Sequence, residues 1–121
     1  MSAVAWIGAA VVGGLAAIAR FLVDGAVASR VGRDFPYGTL AVNVTGAVLL
    51  GLMVGLAVRG EQAVLVGEAA IGSYTTFSTW MFETHRLVEE GELANAFANA
   101  TVSLALGMAA AAAGRWLGGQ L

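Results

Sequence analysis

Gly72-Ser73-Tyr74-Thr75-Thr76-Phe77-Ser78-Thr79 lies inside an otherwise apolar stretch, residues 62–82, whose single charge is Glu68. Seven of these eight positions are polar or glycine. Such a run does not make a lipid-facing helix. Ser and Thr hydroxyls compete for backbone hydrogen bonds, and Gly72 lacks a side chain to hold the helical conformation. The run predicts a helix broken in mid-membrane, whose freed carbonyls and amides face a cavity or a bound ion. A continuous polar helix buried in a bundle is the other way to house these residues.

Three more uncharged stretches flank this one. Residues 2–19 end at Arg20, residues 35–58 run from Phe35 to Val58, and residues 93–114 end at Arg115. As helices, 35–58 and 93–114 are long enough to cross a hydrocarbon core of about 30 Å, and 2–19 is just long enough with help from its flanks. With flanks included, the expected spans are 2–22, 35–58, 62–82 and 93–115, forming a single four-helix membrane domain over residues 1–121. The first stretch has no basic n-region and exceeds the core of a signal peptide, so it reads as a retained span. The charges collect in short connections, which force successive helices to run antiparallel. Arg59 and Arg115 then lie on one side, and Arg20, Arg30, Arg33 and Arg86 on the other. A difference of two arginines orients a chain only weakly, which suits one that inserts both ways and pairs as an antiparallel dimer.

Composition agrees with this architecture. Of 121 residues, 59% are hydrophobic and 12% charged, about half the charged share of a soluble domain. Mean hydropathy is +0.81. The net charge of −2 and the lack of a basic run give no footprint for nucleic acid. Cysteine is absent, which excludes disulfides and thiolate metal sites. There is no serine–histidine–acid set, zinc spacing or phosphate-binding glycine loop, so the chain does not read as an enzyme. Ala9-x-x-x-Gly13, Gly51-x-x-x-Gly55 and Ser103-x-x-x-Gly107 are small-residue pairs of the kind that bring membrane helices together.

The polar residues inside the spans form the candidate site. Thr39 and Asn43 share one face of the second helix at i, i+4. Asn95, Asn99, Ser103 and Gly107, spaced by four, make a track along the fourth. No Asp, Glu, Lys or Arg occupies the middle of a span. Glu68 lies about one turn into the third, near an interface, and His85, Glu89, Glu90 and Glu92 read as solvated. Hydroxyl and amide donors can replace the hydration of a small anion without trapping it. Aromatic edges are electropositive and suit an anion as well, whereas carbonyls freed at a helix break suit a small cation. The residues alone allow either sign.

The order and spacing of several motifs resemble the Fluc (CrcB) family of fluoride channels over the whole chain. The motifs are Gly13-Gly14 with Arg20-Phe21; Pro36-Tyr37-Gly38-Thr39-Leu40 with Asn43 and Gly46; and Gly72 with Thr75-Thr76-Phe77-Ser78-Thr79 and Glu83. The resemblance implies an antiparallel, dual-topology dimer in the cell membrane, with two fluoride pores and a central structural Na⁺. It implies that Asn43 and Ser103 hydrogen-bond fluoride, with Thr39 and Asn99 along the track. Phe77 and Trp80 would supply ring edges, and Arg20 would stand at a vestibule. The backbone carbonyls of Gly72 and Thr75 would hold Na⁺. Trp80 stands where the family usually has phenylalanine, and Asn99 where it often has tyrosine; these departures fit one half of a heterodimer of non-identical subunits. The competing classes are a proton-coupled four-helix exporter of small cations, which needs a membrane carboxylate that residues 2–19 lack, and a partner subunit that does not conduct alone.

Overall fold

A computed structural model describes all residues 1–121, and the chain is almost wholly helical. Helix α1 spans Ala3–Val31 and α2 spans Tyr37–Gly55. A third helical run comprises α3 (Glu61–Ala63), a π-helical segment (Val64–Ile71) and α4 (Gly72–Tyr74). After Thr75–Phe77 the chain resumes as α5 (Ser78–Glu89), and α6 covers Leu93–Gln120. Helices α1, α2 and α6 are each long and apolar enough to cross a membrane.

The helices overrun or fall short of the apolar stretches for local reasons. Helix α1 does not stop near residue 22. It carries Arg20, Asp24 and Arg30 within 29 residues, about 44 Å at 1.5 Å per residue. The Ser2 hydroxyl accepts the Ala5 N–H at its start, and Gly32, at φ +83°, closes its end by donating to the Ala28 carbonyl. Helix α2 is shorter than 35–58. Pro36 precedes its first turn, and the chain leaves it through Ala57 (φ +56°) and Gly60 (φ +67°). Helix α5 runs past residue 82 to Glu89, and α6 past 115 to Gln120.

Helices α2 and α6 form the tightest seam. A Cβ on Gly51 or Gly55 would collide with the backbone of Ala111 or Arg115, and one on Gly114 or Gly118 with that of Val48 or Leu52. Gly51-x-x-x-Gly55 therefore meets Gly114-x-x-x-Gly118, two small-residue faces whose backbones touch. Gly13 on α1 fits against the Ser73 hydroxyl, as its small-residue pair predicts. Gly107 instead has open space around it, so Ser103-x-x-x-Gly107 is not a close helix contact. Few side chains are buried within one chain. Trp6, Phe21, Phe97 and Trp116 lie on the outside, an arrangement that water would penalise and lipid or another chain accepts.

Candidate functional site

The site is built around Thr75–Phe77. Thr75 is extended (φ −81°, ψ 162°), which turns the chain out of the helix. A continued helix would deliver the N–H groups of Thr76 and Phe77 to Gly72 and Ser73, and neither bond forms. Thr76 instead pairs with Asn43. Its N–H donates to Asn43 Oδ1 at 2.8 Å, and Asn43 Nδ2 donates to its carbonyl, also at 2.8 Å. One amide side chain thus replaces both backbone partners of one residue. Thr75 donates its hydroxyl back to the Ile71 carbonyl, and the Thr76 hydroxyl accepts the Thr79 N–H at the start of α5. Tyr74 is held by a 2.9 Å hydrogen bond between its hydroxyl and that of Thr45.

Backbone groups on both sides of this bracket stay unpaired. The Thr75 carbonyl accepts no hydrogen bond, and the Phe77 N–H donates none. An unpaired carbonyl is the kind of ligand that an alkali cation takes, and Gly72 also lacks its partners from the following turn. These oxygens fit Na⁺ in donor chemistry. No group of three or more His, Asp or Glu side chains is placed to hold a metal ion.

A groove of about 390 Å³ runs beside the break between α2 and α6. Asn43, Thr75, Thr76, Phe77, Trp80 and Ser103 line it, with Gly46 and Gly107 giving it width. None of its lining residues is charged. The rings of Phe77 and Trp80 meet edge to face, with centroids 5.7 Å apart at 86°. Phe77 is 70% exposed, so a single chain leaves this groove open along one side.

A second hollow, of about 220 Å³, lies across Thr76 and is lined by Arg20, Asp24, Thr39 and Thr79 among others. Thr76 borders both spaces. Arg20 forms no direct ion pair, and Asp24 lines the same hollow, so the space holds one charge of each sign. Thr39, only 3% exposed, donates its hydroxyl to Glu83 Oε1 at 2.6 Å. Glu83 was not among the residues expected to build the site, although it stands one turn after Trp80. The Thr39–Glu83 bond joins residues 44 apart in the chain, and no spacing rule exposes it. Glu68 lies on an exposed face of the π-helical segment, and His85 pairs with Glu89 at 2.9 Å in an exposed position.

The track on α6 is divided. Ser103 and Gly107 line the groove, Asn99 sits behind its wall at 1% exposure, and Asn95 leans toward Glu92. Asn99 Nδ2 donates to Thr84 Oγ1 at 2.8 Å and to the Trp80 carbonyl at 3.3 Å. The Trp80 indole N–H donates in return to the Asn99 carbonyl at 2.9 Å. Thr84 donates to the Trp80 carbonyl at 2.9 Å, and Ser103 Oγ donates to Asn99 Oδ1 at 3.4 Å. Thr84 was also missed. It lies one turn beyond Trp80 on the same face of α5.

Three membrane-length helices mark a multi-pass membrane protein, and the uncharged polar groove beside the chain break is of a kind that suits a small ion. The sequence model of the family described as CrcB-like protein, Camphor Resistance (CrcB), matches residues 7–115, and the chain belongs to that family. It is 54% identical over 112 residues to the fluoride-specific ion channel FluC 2 of Mycobacterium bovis, covering 93% of this chain and 89% of the relative. The FluC 2 of Mycolicibacterium paratuberculosis is 56% identical over 112 residues, covering 93% and 92%. The FluC 1 of Symbiobacterium thermophilum is 44% identical over 119 residues, covering 93% of each chain. These names are those of ion channels rather than enzymes, in keeping with the sequence.

Proposed function

We propose that this chain forms a passive, fluoride-selective channel of the cell membrane that lets cytoplasmic fluoride leave. Hydrogen fluoride crosses membranes and ionises at neutral pH, so fluoride accumulates inside until an anion path opens. The observation that carries the reading is the groove beside the break, which offers donors and no fixed charge. Asn43 uses one of its two amide hydrogens on Thr76, so the other is available to an anion. Ser103 offers its hydroxyl, and Phe77 and Trp80 offer ring edges. Together these groups replace part of the hydration of fluoride without the deep well that a lysine or arginine would create. Arg20 stands at a vestibule of the path, in the hollow beyond Thr76 that Thr39 and Asp24 also line.

The working unit is an antiparallel dimer of two copies, or of this chain with a homologous subunit, holding two pores. The open side of the groove, the exposed aromatic residues and the small arginine bias support this arrangement. The break lies in mid-membrane and crosses that of the second subunit. The carbonyls of Gly72 and Thr75 hold a structural Na⁺ there, which supplies positive charge that neutralises backbone oxygens left without donors.

Liposomes containing only this chain, read by a fluoride electrode, test the reading. Fluoride efflux that exceeds chloride efflux and persists without a proton gradient is the expected result. Equal fluoride and chloride fluxes would refute selectivity, and a requirement for a proton gradient would favour an exporter. A silent chain that conducts once a homologous subunit is added would make it one half of a heterodimer.

A further inference from the structure

Asn99 has no hydrogen-bond donor left for an anion. Both hydrogens of its amide are engaged, one on Thr84 Oγ1 and one on the Trp80 carbonyl, and its oxygen accepts from Ser103. It is 1% exposed and does not line the groove, whereas its partners Trp80 and Ser103 both do. The bonds with Trp80 are reciprocal, because each side chain holds the other residue's backbone carbonyl. These bonds fix α5 against α6 at the level where the Trp80 ring meets that of Phe77. The Ser103 hydroxyl has a choice between Asn99 Oδ1, at a long 3.4 Å, and an occupant of the groove.

We propose that Asn99 is a positioning residue that never touches the permeating anion, clasping Trp80 in place and supplying the acceptor from which that anion draws the Ser103 hydroxyl. The inference rests on the fluoride-channel reading above. It makes Trp80 and Asn99 one unit. With either side chain removed, the remaining half of the clasp holds the two helices less well, so the second loss costs less than it would alone.

The test is a double-mutant cycle on fluoride efflux from liposomes, using Asn99→Leu, which keeps bulk without polar atoms, Trp80→Phe, and the pair. Asn99→Leu removes two interhelical bonds, and a fall in flux of about tenfold is expected from the size of such bonds between membrane helices. Trp80→Phe removes one, for about threefold. The double variant is expected to fall about tenfold rather than the roughly thirtyfold of independent effects. Asn99→Leu should also shift the Trp80 indole N–H resonance while leaving those of Trp6 and Trp116 unchanged, a readout that a general loss of packing would not confine to one ring. If Asn99→Leu does not assemble, Thr84→Val breaks the same clasp from α5 and should lower flux severalfold with the same indole shift. Multiplicative losses, or wild-type flux in Asn99→Leu or Thr84→Val, would overturn the inference while leaving the channel reading intact. Wild-type liposomes that pass no fluoride would overturn both.

Discussion

Asn43→Leu is the most informative single substitution, because Asn43 holds the break with both ends of its amide. The replacement keeps the volume and removes two 2.8 Å bonds to Thr76. Hydrogen bonds between membrane helices contribute about 0.6 kcal/mol on average and up to about 1.7. The substitution also strands the Thr76 N–H and carbonyl away from any helical partner, at about 1–3 kcal/mol for each group left unsatisfied. The two contributions overlap, for a net cost of about 2–4 kcal/mol. That is a factor of about 30 to 700 in the equilibrium between the bracketed chain and one free to rearrange. Fluoride efflux should drop by at least about tenfold, and exchange of the Thr76 amide hydrogen should accelerate by a comparable factor. A residue that served only as an anion donor would lose flux and leave that exchange unchanged. Flux and Thr76 exchange both at wild-type levels in Asn43→Leu would refute the bracket altogether.

Other outcomes follow from the same geometry. Phe77→Ile keeps bulk but removes the ring edge, so it should cut fluoride efflux severely while gel filtration shows the assembly intact; normal efflux would reduce Phe77 to packing. Gly51→Leu drives a side chain into the Ala111 backbone across the α2–α6 seam, so it should prevent stable folding in detergent, whereas Gly107→Ala, with open space around it, should fold normally. A tag on the C-terminus of the chain expressed alone should be reachable from both sides of the membrane; access from one side only would reject dual topology.

The interruption near Thr75 could be read from the sequence because its cause is local. Glycine and clustered hydroxyl residues weaken a helix wherever they occur. The π-helical segment Val64–Ile71 could not, because Val-Leu-Val-Gly-Glu-Ala-Ala-Ile carries no signature that separates it from an α-helix. The small-residue pairs were legible as a class but not as partners. Gly51 and Gly55 meet the α6 backbone at Ala111, Arg115 and Gly118, while Gly107, in a pair of the same spacing, borders open space. Asn43, Phe77, Trp80 and Ser103 all line one groove. The position of Asn99 behind the wall was hidden, because spacing by four puts residues on one helix face without saying which neighbour covers each. Its partners Thr84 and Trp80 lie 15 and 19 residues away on another helix.

If the proposed function holds, the break also explains how one short segment would serve ions of opposite sign. A helix ending at Tyr74 presents the negative end of its dipole, and α5, starting at Ser78, presents a positive one. Asn43 cancels neither end, since it satisfies only Thr76, and satisfies both its groups. The unpaired carbonyl of Thr75 precedes that bracket and the unpaired N–H of Phe77 follows it. An oxygen ligand for a cation and a donor for an anion thus stand two residues apart, kept distinct by one side chain. A charged residue at position 43 would bias both. Aspartate would repel the Thr76 carbonyl and any anion in the groove, and lysine would bind the anion too tightly to release it. A neutral amide has the donor and the acceptor that Thr76 needs, and no net charge that would favour an ion of either sign.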